Sequence, residues 1–475
     1  MKSPGNRTRS ECDSMGPMEV PADAYYGAST QRAVLNFPIS NLRFPRSFIR
    51  ALAYVKYCAA DVNAASGDLD RRKATAIKKA ALEVAAGRFD DQFVVDIFQT
   101  GSGTSTNMNA NEVIASRARE ILGGKRSSRD LVHPNDHVNF GQSSNDVIPT
   151  ATHIAALVEI RDSLLPALAG LQLCLERKSR ELMPVVKPGR THLQDATPVR
   201  LGQEFAGYAG QIERAIERVG HAQRRLSQVA LGGTAVGTGI NSRPGFARRL
   251  LKKLSALLAI KVRETTNHFQ AQSTLDEIVE TSGVLRTIAV SLAKIANDIR
   301  WMASGPRNGI GEIVLPAVQP GSSIMPGKVN PVIAESLLQV CAQVVGNDAT
   351  IALAGQSGNF ELNVMQPVAA YNLLQSIAIL AAAVNNFSSA CVAGISDSGR
   401  GPGMVEQSLA LATALVPAIG YDAAAELAHE AARTGSSIKD VALRRTSLSK
   451  RRLDQLLDPA RMTRPGVHGK SRGGE

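Results

Sequence analysis

Apolar residues recur at alternating spacings of three and four between residues 275 and 299. The repeat consists of Leu275, Ile278, Ser282, Leu285, Ala289, Leu292, Ala296 and Ile299. A repeat of this kind is typical of the seam where the helices of a left-handed bundle meet. It therefore predicts one long helix that packs lengthwise against other helices.

Two later segments are apolar on nearly every side of a predicted helix. They run from Val332 to Ala354 and from Met365 to Phe387. A helix of this composition is expected to be buried on all sides. Together with the seam, these segments predict an all-α fold with a central bundle, buried partly against further copies of the same chain. No apolar run is expected to be long and uninterrupted enough to span a membrane.

Changes in composition along the sequence predict three domains. Residues 1–140 form an N-terminal domain that opens with a turn-rich arm and a small strand pair. Residues 141–395 form the helical-bundle domain. Residues 396–475 form a small C-terminal domain, with a linker at 396–403 and a basic tail. The charged residues before Glu11 and after Pro465 follow no apolar period, so we expect both ends to be disordered and dispensable.

Small polar residues cluster directly before four predicted helices, at residues 102–107, 143–146, 191–197 and 322–330. Each cluster alone would be typical of a helix N-cap. If the bundle brings these helix ends together, their hydroxyl and amide groups form a pocket. Such a pocket suits a small polyanion, chiefly a dicarboxylate.

The fourth cluster ends a long irregular stretch that begins at Ser304 and is broken by glycines and prolines. Irregular segments of this length inside a compact chain are often binding loops or lids. Asn330 is expected to cap the next helix, with Pro331 as its first residue. That arrangement directs the positive end of a helix dipole towards the neighbourhood of Lys328.

Net charge and cysteine content limit which partners and which cellular compartment fit the sequence. The formal net charge of +12 and the pI near 9.6 indicate nucleic acid, an anionic surface or an acidic substrate as a partner. Much of the excess lies at the two ends without interleaved aromatic residues, which favours solvated tails over nucleic-acid binding. Five scattered cysteines and the absence of a signal-peptide core predict a reduced, cytoplasmic protein.

Neither a metal nor a nucleotide is predicted. The sequence has no acidic cluster for Mg²⁺ and no His/Cys spacing for zinc. The glycine-rich runs at 101–103 and 232–239 lack the lysine of a phosphate-binding loop. The second run is interpreted as a tight connection or as a loop that lines a site.

The candidates for proton chemistry are His192, Glu335 and the serines of the polar clusters. His192 is a candidate because histidine is the side-chain type suited to proton transfer at neutral pH, although a hydrogen-bonded core histidine would also fit its surroundings. Glu335 lies one turn into an apolar helix, where an unpaired carboxylate is costly, and a histidine from another helix is its natural partner. His133 and His137 lie in a looser polar segment, which is either an outer anion site or a surface loop.

Several of these stretches resemble one enzyme superfamily. The sequence GSSIMPGKVNP at 321–331 is similar to the signature of the fumarase/aspartase superfamily. Five further motifs resemble its class II fumarase branch and occur in the same order as in that branch. They are TGSGTSTNMNANEV (100–113), HPNDHVN (133–139), QSSND (142–146), GRTHLQDATP (189–198) and GNFELN (358–363). The similarity extends from about Asp13 to Leu457.

The resemblance implies a three-domain, all-α homotetramer with a long helical core. Each active site is expected to combine residues of three subunits and to need no metal or organic cofactor. The implied reaction is the reversible anti addition of water to fumarate, giving L-malate through an aci-carboxylate intermediate. The implied partners are fumarate, L-malate and copies of the chain, with no nucleic acid and no membrane.

The same resemblance implies residue roles. Ser322 is expected to remove the C3 proton of malate, and His192, paired with Glu335, to serve the proton of the water. The catalytic set is completed by Lys328, and the substrate carboxylates are held by Ser102, Thr104, Ser143, Ser144, Asn145, Thr191, Lys328 and Asn330. A second dicarboxylate site is implied at His133, Asn135 and Asp136. Chemically, a serine is a poor base unless Lys328 and backbone N–H groups stabilise its oxyanion.

Alternative functions remain within and outside the superfamily. Aspartase typically has glutamine at the position of His192 and threonine at that of Ser144. Related lyases with larger substrates have a different loop sequence around the positions of Ser322 and Ser323. A non-catalytic or nucleic-acid-binding relative would fit the +12 charge but need not keep Ser322, Lys328, His192 and Glu335. After Ile395 the chain departs from the superfamily pattern, which leaves the packing of the C-terminal domain open.

Overall fold

The structure, a computed structural model, describes residues 7–466. These residues divide into two compact units. The first takes in 7–166, Ala215–Ala289 and Val340–Ala382, and the second Ala167–Arg214, Val290–Gln339 and 383–466. The division into three domains at 140 and 395 stays a prediction.

Helices account for most of the described chain, which confirms the expected all-α fold. In order they are α1 (Ala28–Asn36), α2 (Arg46–Ala65), α3 (Arg71–Ala85), α4 (Thr104–Ile121), α5 (Ser144–Glu159), α6 (Leu165–Leu182), α7 (Leu201–Leu226), α8 (Phe246–Leu258), α9 (His268–Ser273), α10 (Asp276–Met302), α11 (Val332–Gly355), α12 (Gln366–Ala390), α13 (Arg400–Gln407), α14 (Val416–Ile419), α15 (Tyr421–Thr434), α16 (Ile438–Arg445), α17 (Lys450–Leu456) and α18 (Pro459–Met462).

The strands of the described residues form two-stranded pairs. They are β1 (Thr8–Asp13) with β2 (Gly16–Pro21), β3 (Val186–Thr191) with β4 (Gln194–Arg200), β5 (Gln228–Val229) with β6 (Arg263–Glu264), β7 (Ile313–Val314) with β10 (Ser396–Asp397), and β8 (Gly358–Asn359) with β9 (Leu362–Asn363). The β5–β6 pair is parallel and the others are antiparallel.

The seam predicted for residues 275–299 is confirmed. All eight of its positions are buried, with side chains at most 3% exposed. They follow one face of α10 because the 3.5-residue spacing keeps the apolar stripe aligned with the packing direction.

Helix α11 is buried on one face within the single chain, so its burial on every side, partly against further copies, stays a prediction. Leu337, Val344 and Ile351 lie on the buried face, while Val345 is 41% and Leu353 63% exposed on the other. The apolar composition of the helix does not say which face meets neighbours within one chain.

The expectation that no apolar run reaches membrane-spanning length is wrong. Val332–Gly355 and Gln366–Gly394 are both long and apolar enough to cross a membrane by length and composition. Core helices of soluble proteins meet the same criterion, so this measure is weak evidence for a membrane.

The predicted strand pair near the N-terminus is confirmed, but the expected disorder before Glu11 is wrong for Thr8, Arg9 and Ser10. These residues belong to β1, and the Arg9 guanidinium donates to the carbonyls of Pro21 and Ala24 at 2.9 and 2.6 Å. The same expectation for residues 467–475 lies outside the described residues.

The segment 396–403, predicted as a linker, is ordered. Ser396 and Asp397 form β10, which pairs with β7, and α13 begins at Arg400. Beyond it, residues 405–457 supply a hydrophobic cluster that includes Leu415, Val441 and Leu453.

Candidate active site

The segment from Gly321 to Asn330 forms a closed loop. Gly321 N donates to the Lys328 carbonyl at 2.8 Å, and Asn330 Nδ2 donates to the Gly321 carbonyl at 2.7 Å. A Cβ atom on Gly321 would lie 2.6 Å from the Lys328 carbonyl oxygen, so only glycine allows this closure. The two ends of the loop are therefore held together by two hydrogen bonds and by one close approach between backbone atoms.

Ser322 stands at the start of this loop with its side chain partly buried. Its Oγ accepts hydrogen bonds from the backbone N–H groups of Ile324 and Met325 at 3.2 and 3.0 Å. Two such donors stabilise negative charge on the oxygen atom. Lys328 is exposed, and its ammonium makes no hydrogen bond or ion pair with residues 7–466.

The helix after the loop begins one residue later than expected. Helix α11 starts at Val332, and the Pro331 carbonyl accepts the first helical bond, from Glu335 N at 3.1 Å. Pro331 is therefore the capping position, and the expectation of an Asn330 cap is wrong. The Asn330 side chain closes the loop on Gly321 instead.

An open cavity of about 670 Å³ adjoins the loop. Its lining includes the ends of Lys328 and Asn330 together with Glu335, Arg300 and Trp301. The cavity offers cationic, amide and carboxylate groups to a polar ligand. Within the described chain, the Nε atom of Arg300 is buried and has no hydrogen-bond partner.

His192 lies at the tip of a β-hairpin. Thr191 pairs with Gln194 across the turn, and His192 and Leu193 have φ angles of 57° and 62°. A two-residue turn with positive φ at both positions matches the right-handed twist of the flanking strands. The predicted helix follows the cluster at 191–197, but the cluster itself forms this hairpin and does not cap the helix, because β4 runs to Arg200 and α7 begins at Leu201.

The hairpin tip is open to solvent in the single chain. Thr191 and His192 are both exposed. Among the described residues of one chain, no hydrogen bond or ion pair joins His192 to Glu335. The predicted pairing of these two side chains is therefore not made within one chain.

Two of the other predicted clusters do meet. Thr104 Oγ1 lies 2.7 Å from both Ser102 Oγ and Ser144 Oγ, which links the starts of α4 and α5 through a row of hydroxyl groups. Ser143 caps α5 in a capping box with Asp146. Each of these hydroxyls can donate to an anion, as expected for a carboxylate-binding surface.

Asp146 was not singled out from the sequence, although the Ser-x-x-Asp spacing of a capping box is a signal for it. Its carboxylate is fully buried and accepts from the backbone of Ser143, Gly232 and Thr234 at 2.9, 3.0 and 3.0 Å. Burial raises the pKa of Asp146, and these three N–H donors oppose that shift. The carboxylate thereby ties the glycine-rich run 232–239 to the start of α5.

Asn145, next to Asp146, is held by the same run. Its Nδ2 atom donates to the Ala235 carbonyl at 2.8 Å. This bond orients the side-chain amide, so the glycine-rich run acts as a support for a predicted substrate-binding residue.

Lys56 is a second residue that was not predicted from the sequence, although it is a cation in the otherwise apolar stretch from Ala51 to Ala60 of α2. The side chain is completely buried and its Nζ donates to Asn139 Oδ1 at 2.8 Å. Burial lowers the pKa of Lys56 to about 7, and the negative charge of Asp146 opposes the shift.

The predicted second anion site is a short helical turn. His133 Nδ1 accepts from the backbone N–H groups of Asn135 and Asp136 at 3.3 and 3.1 Å, while Arg129 Nη2 lies 3.2 Å from His133 Nε2. Burial, opposed by Asp136 and reinforced by Arg129, lowers the pKa of His133. Positive charge here comes chiefly from Arg129 and from Lys73, whose Nζ lies 3.3 Å from His137 Nε2.

No group of three or more His, Cys, Asp or Glu residues that could hold a metal ion occurs within residues 7–466.

Comparison with known proteins identifies related chains. Residues 16–346 match the family described as Lyase, and residues 411–464 match the family described as Fumarase C C-terminus. The class II fumarate hydratase of Halobacterium salinarum is 54% identical over 460 residues, which cover 97% of this chain and 98% of the relative. Fumarate hydratase class II 2 of Bradyrhizobium diazoefficiens is 50% identical, with 97% of each chain covered.

Solved structures show the same similarity. A recombinant class II fumarase from Schistosoma mansoni superposes with a TM-score of 0.94 at 40% identity, covering 96% of this chain and 99% of its own. A fumarate lyase:delta crystallin from Brucella melitensis bound to cobalt has a TM-score of 0.93 at 46% identity, covering 97% and 100%.

Proposed function

Because the chain belongs to the class II fumarate hydratase family of lyases, we propose that it catalyses the reversible hydration of fumarate to L-malate. The observation that carries this proposal is the closed loop from Gly321 to Asn330. There the Ser322 oxygen accepts two backbone hydrogen bonds, and Lys328 and Asn330 of the same loop line the adjoining cavity.

In the malate-to-fumarate direction, Ser322 removes the C3 proton. The electron pair moves into the neighbouring carboxylate, which becomes a dianionic aci-carboxylate. Lys328 and Asn330 stabilise that charge, since preorganised donors contribute most where charge develops in the transition state. His192, assisted by Glu335, then gives a proton to the departing hydroxyl group, and the C2–O bond breaks to leave fumarate and water.

The second carboxylate of the substrate is held by hydroxyl and amide groups. Ser102, Thr104 and Ser144 form a connected row of hydroxyls, and Asn145 is oriented by the Ala235 carbonyl. Ser143 and Thr191 complete this set of donors. The turn at His133, Asn135 and Asp136 binds a second dicarboxylate outside the reaction site.

The working form is a homotetramer with active sites shared between subunits. Two features support this. The single chain leaves apolar side chains exposed along its long helices, including Val290 at 58%, Trp301 at 53% and Leu353 at 63%. Among the described residues of one chain, it also leaves His192 without a hydrogen bond or ion pair to Glu335, and a neighbouring copy in the proposed tetramer would supply that partner.

The proposed setting is the cytoplasm, where the enzyme serves the tricarboxylic acid cycle without binding nucleic acid or a membrane. The cysteine pattern supports a reducing compartment, since all five thiols are free and four are buried.

A substrate panel tests the reaction. Purified protein is offered L-malate, L-aspartate and argininosuccinate in turn, and fumarate is followed by its absorbance. We expect fumarate from malate alone. Production from aspartate, or from none of the three, would refute the proposal.

Isotope exchange tests the two proton-handling roles. Ser322→Ala should abolish exchange of the malate C3 hydrogen with solvent deuterium. His192→Asn should lower turnover by roughly a hundred- to ten-thousand-fold and retain part of that exchange, because carbon deprotonation precedes loss of water. Wild-type C3 exchange in Ser322→Ala would exclude this serine as the base.

A further inference from the structure

Glu312 is a buried carboxylate that bridges two cations. Its side chain is 1% exposed, its Oε1 accepts from Arg190 Nη2 at 2.7 Å, and its Oε2 lies 2.9 Å from Lys187 Nζ. Lys187 is itself 2% exposed and also donates to both carboxylate oxygens of Glu204, at 2.8 and 3.0 Å. Two positive and two negative charges thus balance inside the protein.

This cluster, which we call the 187–312 charge cluster, joins two segments that carry predicted catalytic residues. Lys187 and Arg190 belong to β3, and Arg190 directly precedes Thr191 and His192. Glu312 directly precedes β7, in the irregular segment that leads to Ser322. A single carboxylate therefore connects the base of the His192 hairpin to the chain that carries the Ser322 loop.

The backbone around Glu312 is anchored on its other side. Glu312 N donates to the Met302 carbonyl at 2.7 Å, and the Glu312 carbonyl accepts from Ser398 N at 3.1 Å. Ser398 Oγ donates to the Gly311 carbonyl at 2.6 Å. Arg400 reaches the carbonyls of Pro306 and Gly309 at 2.5 and 3.2 Å. The segment 396–400, where the sequence departs from the superfamily pattern, thus clamps the residues on either side of Glu312.

The energetics of such a cluster favour one arrangement over others. Removing the central carboxylate leaves Arg190 without its carboxylate partner and leaves Lys187 with Glu204 alone, and an incompletely compensated buried charge is unfavourable. Both cations lie on β3, so water reaches them when β3 and the segment around Glu312 move apart. Oriented ion pairs also fix direction and register, which an apolar contact of the same size does not.

We propose that Glu312 is a positioning residue that sets the His192 hairpin and the Ser322 loop in a fixed relation. This inference rests on the proposed function for the roles of His192 and Ser322. Its structural core, the coupling of the two segments through one carboxylate, does not depend on the reaction.

The test combines amide hydrogen exchange, followed by mass spectrometry, with isotope exchange at malate C3. In Glu312→Gln, peptides covering 186–200 and 315–330 should both exchange about tenfold faster, because the hydrogen bonds of both segments open more often. Malate turnover and C3 exchange should fall together, with a smaller change in KM than in kcat.

Two matched variants distinguish the contribution of Glu312 from those of Glu204 and Ser398. Glu204→Gln removes a carboxylate from the same lysine but leaves Arg190 and Glu312 joined, so 315–330 should exchange as in the wild type. Ser398→Ala removes the hydroxyl bond to the Gly311 carbonyl and keeps the backbone bond to Glu312, so 315–330 should exchange faster while 186–200 does not. Glu312→Asp, which keeps the charge, should recover part of the turnover.

Unchanged exchange of 315–330 in Glu312→Gln would overturn the proposal, and so would equal effects of Glu204→Gln and Glu312→Gln on both peptides. If Glu312→Gln fails to fold, Glu312→Asp takes its place: unchanged exchange of 315–330 in Glu312→Asp, or effects equal to those of Glu204→Gln on both peptides, would overturn the proposal. A wild-type protein without malate turnover would refute the proposed function, while the amide-exchange pattern would still judge the coupling.

Discussion

The buried lysine of α2 makes the stability of the protein depend on pH in a defined window. Burial lowers the pKa of Lys56 from 10.5 to about 7 in the folded chain. In the unfolded chain the amine keeps its ordinary pKa. Between these two values the unfolded chain binds more protons than the folded chain, so the free energy of unfolding rises with pH across that window.

The size of this effect follows from the shift. One pKa unit corresponds to ~1.4 kcal/mol, and at pH 7 about half of the buried lysines are already neutral. Integrated from pH 7 to pH 9, the contribution is about 2 kcal/mol in favour of the folded state at the higher pH. Asp146 is the charged group that faces Lys56, and its negative charge is included in the shift.

The perturbation is Lys56→Met, which keeps a long side chain and removes the titrating group. Urea unfolding of wild type and variant, followed by circular dichroism at one protein concentration, should be compared at pH 7 and pH 9. We expect wild type to gain about 2 kcal/mol over the variant between these pH values. Lys79→Met, at an exposed position of α3, is the control and should track the wild type.

Parallel behaviour of wild type and Lys56→Met from pH 7 to pH 9 would refute the reasoning. It would mean that Lys56 keeps its proton throughout this range, and that Asp146 and Asn139 compensate fully for its burial.

Three further outcomes follow from the structure. Gly321→Ala should lower malate turnover by about tenfold or more, because its Cβ would lie 2.6 Å from the Lys328 carbonyl oxygen and open the loop. The control Ser323→Ala should lower turnover only slightly. Equal turnover of the two variants would show that the loop closure is not needed. Glu112→Gln should lower the free energy of unfolding by about 1–3 kcal/mol, since Glu112 accepts hydrogen bonds at the start of α1 from Gly27, Ser29 and Thr30, and an unchanged urea midpoint would contradict this. Chelation with EDTA should leave malate turnover unchanged, and loss of activity restored by a divalent ion would contradict the cofactor-free chemistry.

Local patterns determined much of the fold. The seam of α10 and the strand pair at the N-terminus were predicted because their signals, a 3.5-residue apolar repeat and short turn-bounded runs, are carried by neighbouring residues. The irregular segment before Ser322 was predicted for the same reason, since glycine and proline limit the backbone locally.

The hairpin at His192 shows where local patterns fail. Its small polar residues favour a helix cap as strongly as a turn. The pairing of β3 with β4, for example between Val186 and Arg200, decides that they form a turn. Register between strands is a tertiary property, because each residue gains its hydrogen bonds only when the partner strand is present.

The candidate site divides in the same way. Its residue types could be read from motifs, and the resemblance of those motifs named the family. The contacts that hold these residues in place could not be predicted from the sequence, because they join distant parts of the chain. Glu312 contacts Lys187 and Arg190, and Asp146 contacts Gly232 and Thr234. Composition shows that a helix such as α11 must be covered, but packing alone decides which face is covered within one chain. Buried charges and apolar faces obtain their partners through the folded arrangement, and that arrangement lies beyond any local stretch of sequence.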